Sequence, residues 1–404
     1  MTTPTTSTAI LSQRVVELHE SQTLEMAAKA RSLKAQGYDV INLTLGEPDF
    51  NTPEHIKEAA KKAIDENFSF YTPVPAILEL REAIADKLRR ENLLDVKAEN
   101  IVVSTGAKQS LINTILALIN PGDEVIVFAP YWVSYIPMIQ LAQGKAVIVE
   151  GKIENGFKVI PQDLQNAITP KTKAVIYSSP SNPTGTVYSK EELKAFADIL
   201  APYENIFIIA DEIYEYITFE GNYWSIGAFE SVKNRTITVN GFSKSFAMTG
   251  WRVGYIAAPK SIADACIKIQ GQFTSATCSI AQKAALAAIT GDLSATQTMK
   301  NAYLRRRDLV LDLLKDTPTI KTYVPQGAFY LFPDVSYYFG KSDGKTTIGN
   351  AYDLCMYLLN EAYVALVDGE GFGAKNCIRI SFAAADEKLI EGIKRIKEAL
   401  SRLQ

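Results

Sequence analysis

Six short apolar runs, rich in β-branched residues, alternate with helical patterns between residues 101 and 239. The runs are IVVS (101–104), VIVF (125–128), AVIV (146–149), AVIY (174–177), IFIIA (206–210) and TITV (236–239). Strands that are apolar along nearly their whole length, with helices between them, are typical of a mostly parallel sheet covered on both faces. The pattern therefore predicts an α/β fold whose ligands bind beyond the carboxyl ends of the strands.

Other patterns flank this region. Before it, helical patterns cover about 13–36, 53–66 and 77–92, and an apolar segment runs from Val40 to Leu43. After residue 290, a charged helix (about 292–315) precedes a βαβ-like tail with strands at 329–333, 363–368 and 377–382, a helix at 351–362 and a final helix from Asp386. Because 404 residues exceed what one core usually serves, we expect a flexible arm (1–13), a segment (14–45) packing with a small domain, a large domain (46–290) and a small C-terminal domain (291–404).

The composition limits the chemistry that the chain can supply itself. It has two histidines, His19 and His55, and four cysteines without CxxC spacing, which argues against a zinc site and against a histidine-based catalytic triad. The 42 basic and 45 acidic residues give a net charge of −3, and no long basic block suggests a nucleic-acid surface. An enzyme of this composition is expected to borrow its reactive group and to bind no metal.

The location of the protein is predicted from three further features. The start, MTTPTTSTAILSQR, lacks the charged and apolar regions of a signal peptide. No uncharged apolar stretch approaches the roughly 18 residues of a membrane span. Scattered cysteines are typical of a reducing compartment. The sequence thus predicts a cytoplasmic protein without membrane contacts.

Chemically distinctive residues follow four of the six strands. Gly106 follows the first strand, Asn182 the fourth, Asp211 and Tyr214 the fifth, and Lys244 the sixth. Each has an ordinary explanation when taken alone, such as a helix N-cap for Asp211 or a turn for Asn182. Because the carboxyl ends of parallel strands meet at one edge, the set together predicts a site that contains an amide, a carboxylate, a phenol and a lysine.

These residues lie within longer motifs that resemble those of the class I/II aminotransferases, which depend on pyridoxal phosphate. GFSKSFAMTGWRVGY (241–255) is similar to their cofactor-attachment signature, and SPSNPTG (179–185), DEIY (211–214) and LGEPDF (45–50) are similar to three further blocks. The resemblance extends from about Leu11 to the C-terminal helix. It implies the pyridoxal-phosphate-dependent transferase fold of type I, with pyridoxal 5′-phosphate as cofactor.

The resemblance also implies a role for each residue around the cofactor ring. Lys244 would form the internal aldimine and carry protons as general base and acid. Asp211 would pair with the ring nitrogen, while Asn182 and Tyr214 would hydrogen-bond the ring oxygen. Trp132 would stack on the ring and contact the substrate, although an ordinary core aromatic is the alternative.

The phosphate group requires several donors, and the matching positions would supply them. They are Gly106, Ala107, Lys108, Ser243 and Arg252. Tyr71 matches a family tyrosine that reaches the phosphate in the neighbouring subunit. The resemblance therefore implies a homodimer with shared active sites.

Substrate recognition is implied by a second group of positions. Arg379 matches the arginine that binds the substrate α-carboxylate, with Gly46 and Asn182 beside it; a strand arginine with a surface partner is the alternative. The chain is most similar to the prokaryotic type of aspartate aminotransferase, in which the positions of Ser21, Thr23 and Lys108 help to read the distal carboxylate. Ser21 and Thr23 could instead simply cap the first helix.

The resemblance thus implies a ping-pong reaction of L-aspartate and 2-oxoglutarate that yields oxaloacetate and L-glutamate. An aminotransferase for aromatic amino acids, alanine or prephenate is the alternative, followed by a pyridoxal-phosphate-dependent lyase. A ligand-binding regulator of the same fold would carry a DNA-binding domain, for which the arm before residue 14 has no room. GEGFGA (369–374) fits a loose dinucleotide pattern, but a strand follows it instead of a helix, so we interpret it as a loop.

Overall fold

The computed structural model describes residues 11–16, 18, 22–221 and 223–404. Its α-helices are α1 Gln13–Val16, α2 Gln22–Ala35, α3 Glu54–Asp65, α4 Leu78–Glu91, α5 Ala107–Leu118, α6 Tyr135–Leu141, α7 Pro161–Ala167, α8 Lys190–Leu200, α9 Lys260–Phe273, α10 Ser279–Thr290, α11 Ser294–Leu314, α12 Ala351–Glu361 and α13 Asp386–Leu400. Its strands are β1 Ile41–Asn42, β2 Ile101–Ser104, β3 Glu124–Ala129, β4 Lys145–Glu150, β5 Thr172–Ser178, β6 Phe207–Asp211, β7 Thr236–Gly241, β8 Gly254–Ala257, β9 Tyr330–Leu331, β10 Val364–Ala365, β11 Val367–Asp368 and β12 Ile378–Ser381.

The central sheet has seven strands in the order β2-β8-β7-β6-β5-β3-β4. Strands β3 to β7 pair in parallel, whereas β8 runs antiparallel to both β2 and β7. Neighbouring strand residues enter cores on opposite faces: Val102 packs with Leu111 of α5, while Ile101 packs with Ile84 of α4. The prediction of a mostly parallel sheet with helices on both faces is confirmed.

Strand β8 was not predicted, although its first two residues lie inside the motif around Lys244. The alternation of strands and helices gave no signal for it, because β7 and β8 are joined by a loop rather than by a helix. Antiparallel neighbours do not need the helical crossover that parallel ones require. The six strands that the sequence predicted are all present.

The tail forms two small sheets instead of the predicted βαβ-like arrangement. Strands β11, β12 and β9 make an antiparallel sheet, and β10 pairs in parallel with β1. The prediction of one strand over 363–368 was wrong, because the chain passes at Leu366 from pairing with β1 to pairing with β12. The glycine-rich segment 369–374 forms a loop with one 3₁₀ turn, Glu370–Phe372. The interpretation of GEGFGA as a loop is therefore confirmed.

The predicted helix over 13–36 is interrupted. Helix α1 ends at Val16, where the N–H of Leu18 donates to the carbonyl oxygen of Val15 in a tighter turn, and α2 begins at Gln22. The β-branched Val15 and Val16 lower helix propensity at this point.

One buried cluster joins the segment near the N-terminus to the tail. Met26 and Ile41 share it with Tyr330, Leu354 and Ile393. None of the helices described in residues 11–16, 22–221 and 223–404 is long and apolar enough to cross a membrane. The same residues contain no group of His, Cys, Asp and Glu side chains arranged to hold a metal ion.

Candidate active site

A cavity of about 280 Å³ lies at the carboxyl ends of β5, β6 and β7. Eleven residues that the sequence singled out line it: Gly46, Ala107, Lys108, Trp132, Asn182, Asp211, Tyr214, Ser243, Lys244, Arg252 and Arg379. The lining also includes Leu111, Val133, Ser134, Tyr135, Ser178, Ile213 and Tyr330, which sequence reasoning missed. Residues that are hundreds of positions apart in the chain thus meet in one place.

Lys244 lies in the wall of this cavity, and its Nζ donates to the carbonyl oxygen of Gly46 at 2.6 Å. Burial lowers the pKa of Lys244 to about 8. The negative charge of Glu47 raises this pKa, and the positive charge of Arg252 lowers it further. A substantial fraction of this amine is therefore neutral near pH 8, as a nucleophile or general base requires.

Asp211 ends β6 and is almost fully buried. Its Oδ2 accepts from the Tyr135 hydroxyl at 2.7 Å, and its Oδ1 accepts from the Ile213 N–H at 3.3 Å. Burial raises the pKa of Asp211 to about 6, and these two hydrogen bonds limit the rise. Tyr135 lies three residues after Trp132 beyond β3, and this closeness in the sequence could have pointed to it. In the structure its ring packs edge-on against the Trp132 indole.

The start of α5 forms a crowded corner of the cavity. Gly106 precedes this helix with a φ of +81°, and a Cβ on it would lie 2.3 Å from Nη2 of Arg252. A Cβ on Gly254 would lie 2.1 Å from the N of Ala107. The first N–H groups of a helix have no partner within it and attract anions. With Ser243 and Arg252 beside them, they form a cradle for a phosphate-sized anion.

Lys108 and Trp132 form the next part of the wall. The Nζ of Lys108 lies 4.9 Å from the centre of a Trp132 ring, within the range of a cation–π contact. Burial, and then the charge of Arg252, lower the pKa of Lys108. The indole thus holds a poorly solvated cation beside the cavity.

Arg379 projects from β12 and is 2% exposed, so it is not a surface arginine. Its Nη1 donates to Oδ1 of Asn182 at 2.9 Å, and its Nη2 donates to the carbonyl oxygen of Thr44 at 2.6 Å. Among the described residues, its Nε has no hydrogen-bond partner. The guanidinium carbon lies over the rings of Tyr330 and Phe372, 4.6 and 4.9 Å from their centres.

Tyr214 meets another tyrosine at the edge of the cavity. Its hydroxyl lies 2.7 Å from the hydroxyl of Tyr330, which is fully buried. Sequence patterns gave no signal for Tyr330, because this contact depends on how β9 and β12 are registered and on how they face β6.

Two predicted residues, Tyr71 and Gly106, are not part of the cavity lining, and two more cannot be placed. Tyr71 is 97% exposed, on a loop before α4. Ser21 and the side chain of Thr23 lie outside the described residues. Gly106 is not part of the lining itself but precedes the helix that is.

Comparison with known proteins identifies the family. A family model described as "Aminotransferase class I and II" matches residues 38–396. The chain is 46% identical over 397 residues to a Petunia hybrida protein named bifunctional aspartate aminotransferase and glutamate/aspartate-prephenate aminotransferase, covering 96% of this chain and 82% of that one. It is 45% identical to the aspartate/prephenate aminotransferase of Cereibacter sphaeroides, covering 96% and 98% of the two chains.

The chain belongs to the class I and II aminotransferases.

Solved structures agree with this membership and with the predicted type I fold. The aspartate aminotransferase of Rhizobium meliloti superposes with a TM-score of 0.94 at 38% identity, covering 98% of this chain and 99% of that one. That of Thermus thermophilus, solved with maleate, gives a TM-score of 0.91 at 42% identity, covering 96% and 99%.

The cavity of this aminotransferase has an excess of positive charge. Lys108, Lys244, Arg252 and Arg379 line it, and among the described lining residues Asp211 is the one carboxylate. A low-dielectric cavity with several cations favours ligands that carry several negative charges.

Proposed function

We propose that this aminotransferase uses pyridoxal 5′-phosphate to transfer the amino group of L-aspartate to 2-oxoglutarate, giving oxaloacetate and L-glutamate in a ping-pong cycle. One observation carries the proposal: a single cavity brings Lys244, Asp211 and Arg379 together with a surplus of cations. Lys244 provides an amine for the carbonyl of a cofactor, Asp211 provides a carboxylate for its ring nitrogen, and Arg379 provides a guanidinium for the carboxylate of a substrate.

The residues present fit the cofactor. The crowded start of α5, with Ser243 and Arg252, would hold its phosphate, because a Cβ on Gly106 would occupy the space next to the guanidinium. Asp211 would hold the ring nitrogen, Asn182 and Tyr214 the ring oxygen, and Trp132 the ring face. When bound, pyridoxal 5′-phosphate supplies an aldehyde that reacts with amines and a ring that accepts electrons.

Lys244 would carry the cofactor and move the substrate proton at its Nζ. Its lowered pKa, about 8, lets this amine accept a proton in one step and return it in the next. The carbonyl oxygen of Gly46, 2.6 Å away, orients Nζ within the cavity.

Two cations would bind the dicarboxylate substrate. The Arg379 guanidinium, fixed by Asn182 and two aromatic rings, would take the α-carboxylate by a bidentate hydrogen bond. Lys108 would take the distal carboxylate, and its poor solvation beside Trp132 strengthens that attraction.

Prephenate is a second candidate for the amino acceptor, because the Petunia and Cereibacter relatives carry it in their names. Prephenate is also a dicarboxylate with a 2-oxo group, so the same two cations would serve. Turnover of prephenate with an aspartate or glutamate donor, measured against 2-oxoglutarate, would separate the two acceptors.

We also propose a homodimer in which Tyr71 completes the site of the partner subunit. Its side chain is 97% exposed, which is unusual for an aromatic residue and leaves it free to meet a second chain.

The cytoplasmic location stays a prediction.

The cofactor is tested by the visible spectrum of the purified protein after addition of pyridoxal 5′-phosphate. We expect a new band, and borohydride reduction followed by peptide mapping should locate the label on Lys244. Lys244→Ala should lose both signals, whereas Lys194→Ala, at an exposed ion pair, should keep them. Labelling elsewhere, or an unchanged band in Lys244→Ala, would contradict the proposal.

The substrate is tested by a screen of amino donors. Aspartate should be preferred, and Lys108→Ala should raise the KM for aspartate about tenfold or more while changing that for alanine much less, since alanine has no distal carboxylate. A clear preference of the wild type for alanine or tyrosine would contradict the aspartate assignment.

A further inference from the structure

Tyr330 contacts three parts of the site at once. It lies in β9 opposite Ser381 of β12, which places it diagonally across from Arg379 on the same face of the sheet. Its ring lies 4.6 Å from the guanidinium carbon of Arg379, and its hydroxyl lies 2.7 Å from that of Tyr214. A Cβ on Gly46 would lie 2.6 Å from the same hydroxyl.

The ring restrains the guanidinium. Arg379 donates to Asn182 and to the carbonyl oxygen of Thr44, and its guanidinium carbon lies over the rings of Tyr330 and Phe372. A guanidinium that is restrained by two hydrogen bonds and two aromatic rings keeps its orientation, which a bidentate contact to a carboxylate requires. Because the negative faces of the rings attract the cation, they also offset part of its cost of burial.

The Tyr330 hydroxyl has a second role, which follows from the number of protons that the hydroxyls of Tyr330 and Tyr214 can donate. Burial raises the pKa of both phenols, so both keep their protons at neutral pH. One hydrogen bond between two hydroxyls uses one proton and leaves the other for a different acceptor. Among the described residues, Tyr214 is the hydrogen-bond partner found for the Tyr330 hydroxyl, and Tyr214 faces the cavity. Because both tyrosines line the cavity, the proton count alone does not fix which hydroxyl donates to the other. The proposed function gives Tyr214 the ring oxygen of the cofactor, and the arrangement that serves this role has Tyr330 donating to Tyr214, and Tyr214 donating into the cavity.

We propose that Tyr330 is a positioning residue with two separable parts: its ring fixes Arg379 for the substrate carboxylate, and its hydroxyl directs the proton of Tyr214 toward the cofactor. Successive hydrogen bonds strengthen one another, so the donation from Tyr330 makes Tyr214 a better donor. The inference rests on the proposed function, in which Tyr214 holds the ring oxygen of the cofactor.

Two variants separate the parts. Tyr330→Phe keeps the ring and removes the hydroxyl, so binding of maleate, an unreactive dicarboxylate, should change less than about twofold. The pH midpoint of the visible band of the loaded protein should rise by about 0.3–0.5 unit, because a weakened donor stabilises a negative ring oxygen less. Tyr330→Leu removes the ring as well, and the Kd of maleate should rise about tenfold.

Tyr338→Phe is the matched control. Tyr338 is a buried tyrosine of the same region, and its hydroxyl bonds to that of Thr319, 2.7 Å away, rather than to any residue lining the cavity. This variant should keep the wild-type midpoint and the wild-type Kd. Any loss common to Tyr338→Phe and Tyr330→Phe would then measure a general loss of packing.

The outcomes are distinguishable. A wild-type protein without a visible band would overturn the proposed function and this inference with it. A normal wild-type band, with a midpoint in Tyr330→Phe equal to that of Tyr338→Phe, would overturn the inference alone. Tight maleate binding by folded Tyr330→Leu, judged by its near-ultraviolet circular dichroism, would also overturn it.

Discussion

At the scale of single residues, Asp211 illustrates how the protein keeps a buried carboxylate usable. Without partners, burial would hold this group largely protonated near neutral pH. The Tyr135 hydroxyl and the Ile213 N–H both donate to it, and its pKa stays at about 6. The carboxylate is therefore mostly ionised at pH 7, as pairing with a cationic ring nitrogen requires.

Tyr135→Phe removes one donor to Asp211 and should raise its pKa further. Hydrogen bonds to the ionised form favour that form, so their loss shifts the acid limb of the kcat/KM profile to higher pH, by about half a unit to one unit. Activity at pH 6 should fall more than activity at pH 8. Tyr188→Phe, which removes a buried hydroxyl bonded to Val159 away from the cavity, should leave the profile unchanged. An unshifted limb in folded Tyr135→Phe would contradict this role.

Residues that carry their own chemistry were predicted from the sequence, whereas Tyr135 and Tyr330, which act through other residues, were missed. Lys244, Asp211 and Asn182 follow strands, so the geometry of a parallel sheet alone brings them together. Tyr330 is different, because its contacts depend on the registration of β9 against β12 and on how that small sheet packs on Tyr214. No local pattern encodes such a meeting of distant segments.

At the scale of elements, the start of α5 depends on two glycines. Gly106 has a φ of +81°, and neither it nor Gly254 has room for a Cβ. Helix α5 can therefore approach both Arg252 and β8 closely, with its first N–H groups at the cavity. The absence of a Cβ atom at Gly106 and Gly254 therefore determines how closely the helix can approach its neighbours.

Gly106→Ala should weaken binding of pyridoxal 5′-phosphate by about tenfold or more, since the new Cβ would displace Arg252. Gly122→Ala is the control: Gly122 has a φ of +86° but no atom within 4 Å of a built Cβ. It should cost about 1 kcal/mol of stability through backbone strain alone and leave cofactor affinity unchanged. Titration of both variants with the cofactor checks this. Equal affinities would contradict the steric explanation.

The elements themselves were predicted well where strands and helices alternate and poorly elsewhere. Strand β8 has no helix before it, and the run 363–368 serves two sheets. In both places pairing, not local composition, decides the structure.

At the scale of the whole molecule, Arg306 joins three separate segments. Its guanidinium donates to both oxygens of Asp49, at 2.7 and 2.9 Å, and to Asp386 at the start of α13, at 3.2 Å. Arg306 itself lies in α11 and is 7% exposed. The loop that carries Gly46 is thereby tied to two helices of the tail. The division into an arm and three further segments, made from the sequence, stays a prediction.

Arg306→Ala should lower the free energy of unfolding by about 2–3 kcal/mol, because it leaves the partly buried carboxylate of Asp49 without the arginine that pairs with both its oxygens and removes one of the two arginines that pair with Asp386. Arg305→Ala removes the neighbouring arginine, which also pairs with Asp386 but is 59% exposed, and should cost less than about 1 kcal/mol. Denaturant unfolding of both variants measures the difference. Equal losses would show that Arg306 does not tie the segments together.

The proposed dimer predicts complementation between two defective chains. Lys244→Ala and Tyr71→Ala should each be poorly active alone. If Tyr71 acts in the site of the partner, co-refolded mixtures contain hybrid dimers with one intact site and should regain up to about a quarter of wild-type activity. Retention of untagged Tyr71→Ala by an affinity tag on Lys244→Ala tests subunit exchange. No regain despite exchange would contradict a shared site.

The pairing of β1 with β10 bears on how the protein is made. Ile41 lies opposite Val364, which leaves the ribosome about 320 residues later, after roughly 15–65 s of synthesis. Until then the apolar face around β1 has no partner strand, and Arg379 has not yet been added to the chain. The nascent polypeptide must therefore keep this segment from aggregating through almost the whole of translation, and the cavity gains its Arg379 guanidinium only near the end of synthesis.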